Sequence, residues 1–512
     1  MKKNFLAIVT LFIFFSYQFI LAQGIIKDDF LVNDDAGSTD QNNPSIAVDV
    51  AGNFVIVWQD FRNGNGDIYF QRYSSSGTAL GTNIKVNDDT SSADQDYPSI
   101  SMDGAGNYVI VWNDYRNNNN NYDYDVYFQR YTSTGTAIGI NTKVNDDVDS
   151  VKQWFPSISM NATGNFVITW IDERNGNDDI YFQRYNSIGA ALGVNTKVND
   201  DASTAGQLHP SVSMDVAGNY VIAWQDFRNS NWDIYFQRYT DAGTTLGNNT
   251  KVNDDTGIEF QYYPSITMDG AGNFVIAWQD FRNANWDIYL QRLTDTGTTL
   301  GNNTKVNDDA GSAYQKVPSI SINGAGDFIV VWQDYRYGQT NSDIFGQRYF
   351  ANGNPNSGNY RIVEDGPNNG ETEPVLYAYN SSIIFSWQDN RRSQGWDTYA
   401  KITSWNWNGI TSVKDEDNKS PCDFSLSQNY PNPFNPSTRI SWQSSLGSWQ
   451  TLKIYDVLGN EVATLVDEYK PAGKYDVEFK SAVYNRQLIS GVYFYQLKVG
   501  NNTQTKKMLL LK

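Results

Sequence analysis

Pairs of neighbouring acidic residues recur along the chain and are the first groups that could do chemistry. Two carboxylates about 4 Å apart repel by about 1 kcal/mol in water, and by more inside a protein, so each pair needs a compensating partner. Calcium is one interpretation, because runs such as Asn63-Gly-Asn65-Gly-Asp67 alternate oxygen ligands, although they lack the later glutamate of a calcium loop. Asx-turns that close each repeat are the favoured interpretation. The pairs are Asp34/Asp35, Asp88/Asp89, Asp146/Asp147, Asp200/Asp201, Asp254/Asp255, Asp308/Asp309 and Glu364/Asp365.

Arginine and tryptophan side chains close to these pairs are candidate ligand-binding groups. One arginine per repeat follows an aspartate by two residues, which favours a latch across a hairpin, with binding of an anionic ligand as the alternative. Three tryptophans stand just before a segment of the type Asp-(Ile/Thr)-Tyr, where an exposed indole would suit a sugar or another protein. The candidates are Arg62, Arg116, Arg228 and Arg282, together with Trp232, Trp286 and Trp396.

Groups for catalysis are harder to find, because catalysis needs unlike side chains that converge on one spot. The single histidine, His209, precedes Pro210 with no nucleophile motif around it, and no zinc pattern or Gly-rich phosphate loop is present. We therefore expect no catalytic residues and a protein that is not an enzyme. A glycosidase with paired carboxylates stays open as an alternative, and Glu173 and Glu259 are acids that the other repeats lack.

These residues belong to a repeat whose hallmark resembles Trp-Gln-Asp-(Phe/Tyr)-Arg. Its tryptophans are spaced by 54, 58, 54, 54, 54 and 55 residues. Such a period indicates one supersecondary unit that stacks on its neighbours to bury its apolar faces. The tryptophans, predicted to pack between units, are Trp58, Trp112, Trp170, Trp224, Trp278, Trp332 and Trp387.

Each repeat has the pattern of four strands. In the first, Pro44–Asp49 alternates apolar and polar residues, and Phe54–Trp58 is a continuous apolar run typical of a strand covered on both faces. Asp67–Tyr73 follows a turn, and Asn83–Asn87 suits an outer edge strand. Seven units of four strands predict an all-β fold, a seven-bladed β-propeller over residues 28–405.

Closure of the ring has two solutions. The segment Phe30–Asn33 matches the fourth strand of a repeat and precedes the first complete repeat, so it can pair beside Asp397–Tyr399 and close the seventh blade. The segment Ile410–Val413 is the alternative outer strand.

The repeat resembles the blade of TolB-like propellers, which implies the same architecture. That blade reads roughly as Pro-x-x-Ser-x-Asp-Gly, an apolar strand, Arg-x-Gly and Asp-Ile-Tyr. The matching residues here are Pro98, Ser101, Asp103, Gly104, Tyr108–Trp112, Arg116, Asp125, Val126 and Tyr127.

The first 22 residues have the pattern of a secretory signal peptide. Two lysines precede an apolar stretch from Phe5 to Leu21 and a small residue at Ala22. A retained membrane anchor is the alternative, but the stretch barely reaches spanning length. We expect export and no membrane span in the mature protein.

The C-terminal 90 residues break the repeat. They contain Tyr430-Pro-Asn-Pro-Phe-Asn-Pro436, Ser490-Gly-Val-Tyr493 and Lys506-Lys-Met508, and their short alternating strands predict a small β-sandwich. We assign residues 406–423 to a linker and 424–512 to this domain. The residues that stand out in these segments are Tyr430, Pro431, Asn432, Pro433, Gly491, Tyr493, Lys506 and Lys507, which a resemblance to a known domain marks as a sorting signal.

This domain resembles the type A C-terminal sorting domain of the type IX secretion system. The resemblance implies a bacterium of the Bacteroidota or a relative, the type IX machinery as a partner, and a cell-surface or extracellular location. The domain would be removed after passage across the outer membrane.

Composition limits the remaining function classes. The net charge of −19 disfavours nucleic acid, whose phosphates need lysine and arginine, and the single cysteine, Cys422, permits no intrachain disulfide. We expect a secreted or surface-anchored binding or adhesion module for a polysaccharide or a surface protein, because near-equivalent repeats favour multivalent binding. The alternatives are a glycan-active hydrolase and a structural surface-layer component.

Overall fold

A computed structural model describes residues 24–511 except 36, 118–123, 148–150, 310, 339–340, 364–369, 393–394, 408–424, 445–447, 471–472, 484–485 and 501. The described residues form strands and turns and no helix, so no helix among them is available to cross a membrane. The chain divides into two compact units, residues 1–410 and 411–512. The predicted signal peptide, Cys422 and most of the predicted linker lie outside the described residues.

The first unit is a β-propeller of seven four-stranded antiparallel blades. In each blade the strands follow one another from the centre outward. Blade 1 contains β2 (Gln41–Val48), β3 (Phe54–Asp60), β4 (Asp67–Tyr73) and β5 (Ile84–Lys85). Blade 2 contains β6 (Gln95–Met102), β7 (Tyr108–Asp114), β8 (Asp125–Tyr131) and β9 (Ala137–Lys143). Blade 3 contains β10 (Gln153–Met160), β11 (Phe166–Asp172), β12 (Asp179–Tyr185) and β13 (Ala191–Lys197). Blade 4 contains β14 (Gln207–Met214), β15 (Tyr220–Asp226), β16 (Asp233–Tyr239) and β17 (Thr245–Lys251). Blade 5 contains β18 (Gln261–Met268), β19 (Phe274–Asp280), β20 (Asp287–Leu293) and β21 (Thr304–Lys305). Blade 6 contains β22 (Gln315–Ile322), β23 (Phe328–Asp334), β24 (Asp343–Tyr349) and β25 (Tyr360–Arg361).

Blade 7 is closed by the N-terminal strand. Its sheet has the order β1 (Ile25–Leu31), β28 (Asp397–Ser404), β27 (Ser382–Asp389), β26 (Glu371–Tyr379), and Leu31 pairs with Tyr399. Of the two closures that the sequence leaves open, the structure shows the one by the N-terminal strand, and the alternative strand at 410–413 lies outside the described residues. Trp407 is buried in the core of the last blade, so the packed propeller extends beyond the predicted boundary at residue 405.

The repeat length follows from how the blades pack. The second strand of each blade is buried along its whole length in blades 1 to 6, and its tryptophan is buried in all seven. Each hydrophobic cluster joins two successive blades; Val57 and Phe70 of blade 1, for example, share a core with Trp112 of blade 2. A single unit would leave half of such a core in water, which explains why the units stack.

The second unit has two sheets around one apolar core. The strands are β29 (Ser425–Leu426), β30 (Ser437–Ser444), β31 (Ser448–Tyr455), β32 (Glu461–Lys470), β33 (Gly473–Lys480), β34 (Ala482–Val483), β35 (Arg486–Gln487), β36 (Gly491–Val499) and β37 (Asn502–Leu510). Sheets β29-β30-β33 and β32-β31-β36-β37 enclose Trp442, Leu452 and Tyr495, and β34 pairs with β35. This is the sandwich that the sequence predicts.

Candidate functional site

The inner strands of the propeller share an unusual residue just before their proline. At each of these positions, where the backbone of the inner strand bulges, φ lies between 48° and 54°, a conformation that costs a non-glycine residue free energy and often marks functional sites. The amide of Tyr263 donates to Gln225 Oε1 of the preceding blade, 3.2 Å away, and so helps to hold the bulge. The residues are Asn43, Tyr97, Phe155, His209, Tyr263, Val317 and Glu373. We call them the channel ring.

The channel ring differs strongly from blade to blade. Glutamine or glutamate precedes it by two residues in every blade and proline follows it, whereas the ring itself contains six residue types at seven positions. Ring centroids lie 4.3 Å apart for Tyr97 and Phe155, 4.6 Å for Phe155 and His209, and 4.3 Å for His209 and Tyr263. Burial lowers the pKa of His209 to about 4, so His209 is a neutral packing group near pH 7.

Beside the channel ring, blade 2 holds a buried carboxyl group. Asp96 Oδ1 accepts a hydrogen bond from Asn113 Nδ2 at 2.7 Å, and Asp96 Oδ2 accepts one from the Tyr115 hydroxyl at 3.1 Å. Burial raises the pKa of Asp96 to about 6, against the lowering effect of these two bonds. Desolvation of the charged form is therefore the dominant influence.

The neighbouring blade 3 adds a second carboxyl group of the same kind. Burial, followed by the negative charge of Glu173, raises the pKa of Asp178 to about 6. Asp178 Oδ1 is buried without a hydrogen-bond partner. Glu173 is 3.7 Å from Lys152 Nζ. A carboxylic acid that keeps its proton near pH 6 and has a free oxygen is suited to general acid catalysis.

Tyr124 lies within electrostatic range of both carboxyl groups. Its ring centroid is 4.6 Å from that of Tyr115. The pKa of Tyr124 is raised, chiefly by burial and further by the negative charges of Glu173, Asp96 and Asp178, whereas Lys152 lowers it. We call Asp96, Tyr115, Tyr124, Lys152, Glu173 and Asp178 the acid cluster. Sequence reasoning singled out only Glu173 from this set. The signal that could have found the others is the departure of blades 2 and 3 from the residues that other repeats carry at fixed positions.

The predicted tryptophans lie on the same face of the propeller, in the hairpins between the second and third strands. Trp232 and Trp286 are half-buried and pack on Phe227 and Phe281, with centroids 5.0 and 4.9 Å apart. Tyr262 lies between them, 6.2 Å from Trp232 and 5.2 Å from Trp286. Trp396 is also half-buried and belongs to blade 7. The indoles of Trp232 and Trp286 therefore pack against other aromatic rings and are not isolated, exposed side chains. The ligand-binding role of the three tryptophans stays a prediction.

The arginines of the repeat are engaged within their own blade. Arg62 donates to Asp60 through Nε and Nη2 at 2.9 and 2.7 Å and to Asp34 through Nη1 at 2.7 Å, and its guanidinium lies 4.4 Å from the Tyr69 centroid. A ligand would have to displace these carboxylates. Arg116, Arg228 and Arg282 make the corresponding two sets of bonds. Each donates to the aspartate two residues before it and to the first aspartate of an acidic pair.

The acidic pairs have partners of their own. Asp34 accepts from Arg62, whereas Asp35 accepts from Asn33 Nδ2 at 2.8 Å, and the same division holds for Asp88 and Asp89 and for Asp254 and Asp255. These bonds supply the compensation that each pair needs. In the described part of the chain, no group of three or more His, Cys, Asp or Glu could hold a metal ion. Glu364 and Asp365 lie outside the described residues.

The predicted sorting-signal residues lie in the second unit. Tyr430, Pro431 and Pro433 are exposed, and Asn432 Oδ1 accepts a hydrogen bond from the backbone N–H of Leu509 at 2.9 Å. Phe434 is buried and ties the proline-rich segment to β37 through its backbone. Gly491 and the buried Tyr493 begin β36, and Lys506 and Lys507 lie on β37.

Solved structures similar to this chain include glycan-active enzymes. An ulvan lyase of polysaccharide lyase family PL25, bound to -[GlcA(1-4)Rha3S]-, is 10% identical, with a TM-score of 0.48 over 77% of this chain and 98% of its own. An α-L-arabinanase of Penicillium chrysogenum is 10% identical, with a TM-score of 0.41 over 59% and 93%. A protein of unknown function from Dyadobacter fermentans is 10% identical, with a TM-score of 0.47 over 74% and 98%. No curated protein matches the chain.

These structures correct the expectation that the chain is not an enzyme. That expectation rested on the absence of convergent, unlike catalytic groups in near-equivalent repeats, whereas solved structures similar to this chain include a polysaccharide lyase and an arabinanase. The acid cluster also places Asp96 and Asp178 at positions where the other blades carry no acid. We therefore withdraw the expectation.

The C-terminal unit has a family match. Residues 428–511 match the family described as secretion system C-terminal sorting domain, which covers the proline-rich segment, β36 and β37. Such a domain directs export to the cell surface or the extracellular space and involves the type IX machinery. Residues 428–511 are thus a C-terminal sorting domain of the type IX secretion system.

Proposed function

We propose that the propeller is an extracellular glycan-cleaving hydrolase whose catalytic residues lie in the acid cluster of blades 2 and 3. The observation that carries this proposal is the presence of two neighbouring-blade carboxyl groups, Asp96 and Asp178, whose pKa values burial raises to about 6. Equivalent positions in the other blades carry neutral residues or a lysine, among them Asn42, Lys316, Gly66 and Ser342. Unlike groups at one spot are what catalysis requires.

The geometry supports separate roles for the two carboxyl groups. Asp178, whose pKa is raised to about 6, would donate its proton to the glycosidic oxygen as the bond from the anomeric carbon to that oxygen breaks. Asp96, oriented by Asn113 and Tyr115, would accept a proton from the water that attacks the anomeric carbon. The products are a hemiacetal and an alcohol, and proton return from Asp96 to Asp178 through solvent restores the enzyme.

Surface binding or adhesion without cleavage is the second candidate function. It is favoured by the matching hairpins of blades 4 and 5, where Trp232 and Trp286 occupy equivalent positions beside one tyrosine. A polysaccharide fits this surface best, because a sugar presents an apolar face to an aromatic ring.

The test is glycan cleavage by the full chain and two acid variants. Asp178→Asn and Asp96→Asn should each lower the rate of new reducing ends by at least about 100-fold, the usual contribution of general acid–base catalysis. Asp241→Asn, an exposed acid on the opposite face, is the matched control and should keep the rate. Cleavage at the unchanged rate in Asp178→Asn would refute the proposed role. Products with unsaturated uronic ends would show elimination instead of hydrolysis.

A further inference from the structure

The acid cluster is one end of a continuous band of aromatic rings that crosses the mouth of the central channel. The rings come from blades 2 to 5. In their spatial order along the band they are Tyr124, Trp154, Phe155, His209, Tyr263 and Tyr262. Neighbouring centroids in this order are 6.3, 4.9, 4.6, 4.3 and 6.3 Å apart. Trp286 continues the band at 5.2 Å from Tyr262. We call this set the aromatic band.

The aromatic band is not a requirement of the fold. At the same two positions of the inner strand, blade 1 has Asn42 and Asn43, and blade 7 has Thr372 and Glu373. These blades nevertheless have the same bulge, with φ of 52° at Asn43 and 50° at Glu373. Since the strand folds equally well around a polar residue, the fold does not require rings in blades 2 to 5, although Trp154 and Phe155 also pack against the core that blades 3 and 4 share. A ligand that contacts only this side of the face would account for the placement of the rings.

Exposure and polarity identify the class of ligand. Tyr263 is 41% exposed and Tyr97, which touches Phe155, is 38% exposed, so ring surface is available along the band. Polar groups lie at its two ends, with Asp96 at the blade 2 end and Lys316 of blade 6 on the inner strand next to the blade 5 end. A ligand with apolar faces and polar edges repeated along its length suits this arrangement, and a linear polysaccharide has that form.

We propose that the aromatic band binds a linear polysaccharide, with several sugar units stacked from the acid cluster across the channel mouth to blade 5. This inference rests on the proposed function only for the position of the cleaved bond, which the acid cluster sets at the blade 2 end. The substrate is then a polymer rather than a small glycoside. Affinity should increase with chain length until the band is filled.

Binding can be tested independently of cleavage with Tyr262→Ala and Trp286→Ala, which change blade 5 and leave blades 2 and 3 intact. The full chain is run in native gels that contain a linear neutral glucan, a linear mannan or a linear uronate polymer. At least one polymer should retard the unchanged protein, and each variant should weaken that binding roughly tenfold or more. Phe350→Ala, an exposed aromatic on the opposite face, is the matched control and should bind as the unchanged protein does. Two separate variants guard against a folding defect in one of them.

The outcomes separate this inference from the proposed function. Retardation by none of the three polymers, or unchanged binding in both blade 5 variants, would overturn the aromatic band as a binding site. Retardation that the variants abolish, without any new reducing ends from the unchanged protein, would keep the band and refute the hydrolase. If cleavage occurs, Tyr262→Ala should raise KM for the polymer, whereas Phe350→Ala should leave both KM and kcat unchanged. Equal turnover of short and long chains by the unchanged protein would contradict the inference.

Discussion

Replacing Asp96 by asparagine should make the protein more stable at neutral pH while it abolishes cleavage. The side chain is buried beside Tyr115 and Asn113, and both of its oxygens accept hydrogen bonds. Asparagine can keep both contacts, since its oxygen still accepts from Asn113 and its NH₂ group can donate to the Tyr115 oxygen. The substitution therefore removes the buried charge without removing the bonds.

The size of the effect follows from the pKa of Asp96. Burial raises this pKa from 3.8 to about 6, and with about 1.4 kcal/mol for each tenfold change in proton affinity, the rise corresponds to about 3 kcal/mol. Because the folded protein holds the Asp96 proton more tightly than the unfolded chain does, stability falls as pH rises from about 4 to about 6. The loss in the free energy of unfolding reaches its full value above about pH 6 and is absent below about pH 4. Asp96→Asn should avoid this loss.

The assay is urea unfolding of the full chain from pH 3.5 to 8, followed by the fluorescence of the buried blade tryptophans. We expect the gain in the free energy of unfolding to appear between about pH 4 and 6 and to level at about 3 kcal/mol. Asp241→Asn should give no such pH-dependent difference. If Asp96→Asn is destabilised by the same amount at every pH, the hydrogen bonds matter more than the buried charge, and the reasoning about the acid cluster is wrong.

Four further outcomes are expected. Lys401→Ala should destabilise the propeller by about 3 kcal/mol in urea, because it leaves the buried Asp29 carboxylate without the ammonium group 3.0 Å away; an unchanged midpoint would contradict this. Arg228→Lys should lower the free energy of unfolding by about 1–2 kcal/mol in the same assay, because it removes two hydrogen bonds to the buried Asp226. This loss should not depend on pH. Cleavage by the unchanged protein should decline above about pH 6 as Asp178 loses its proton, and a rate that rises to pH 8 would exclude Asp178 as the acid. Phe434→Ala should destabilise the sorting domain by about 3–5 kcal/mol, measured as protease cleavage after residue 424 with the propeller intact.

The repeat made most of the propeller predictable. The spacing of the tryptophans indicates seven units, and the apolar run Phe54–Trp58 indicates a buried second strand, because a continuous run of β-branched and aromatic residues suits only a strand covered on both faces. The match between Phe30–Asn33 and a fourth strand predicts the closure that β1 makes. Each of these inferences depends on a local pattern that recurs.

The candidate site was not predictable in the same way. Residues before proline normally adopt an extended conformation, yet Tyr97 and His209 have φ of 48° and 52°, so the bulge that brings the channel ring together has no local signal. Asp96 and Asp178 are more than 80 positions apart in sequence. Their raised pKa values come from burial that only the assembled ring creates, and each residue alone resembles ordinary variation in a loop.

Closure of blade 7 also sets the order in which the propeller can be completed. Within the other blades, strands pair with partners close in sequence, whereas β1 pairs with β28, so that Ile25 meets Thr403. Contacts between distant segments form slowly, because the chain must first close a long loop. The N-terminal strand is synthesised first and finds its partner only after six blades have followed, so the apolar residues of β1 are the surface exposed longest. A chaperone would therefore gain most by shielding β1.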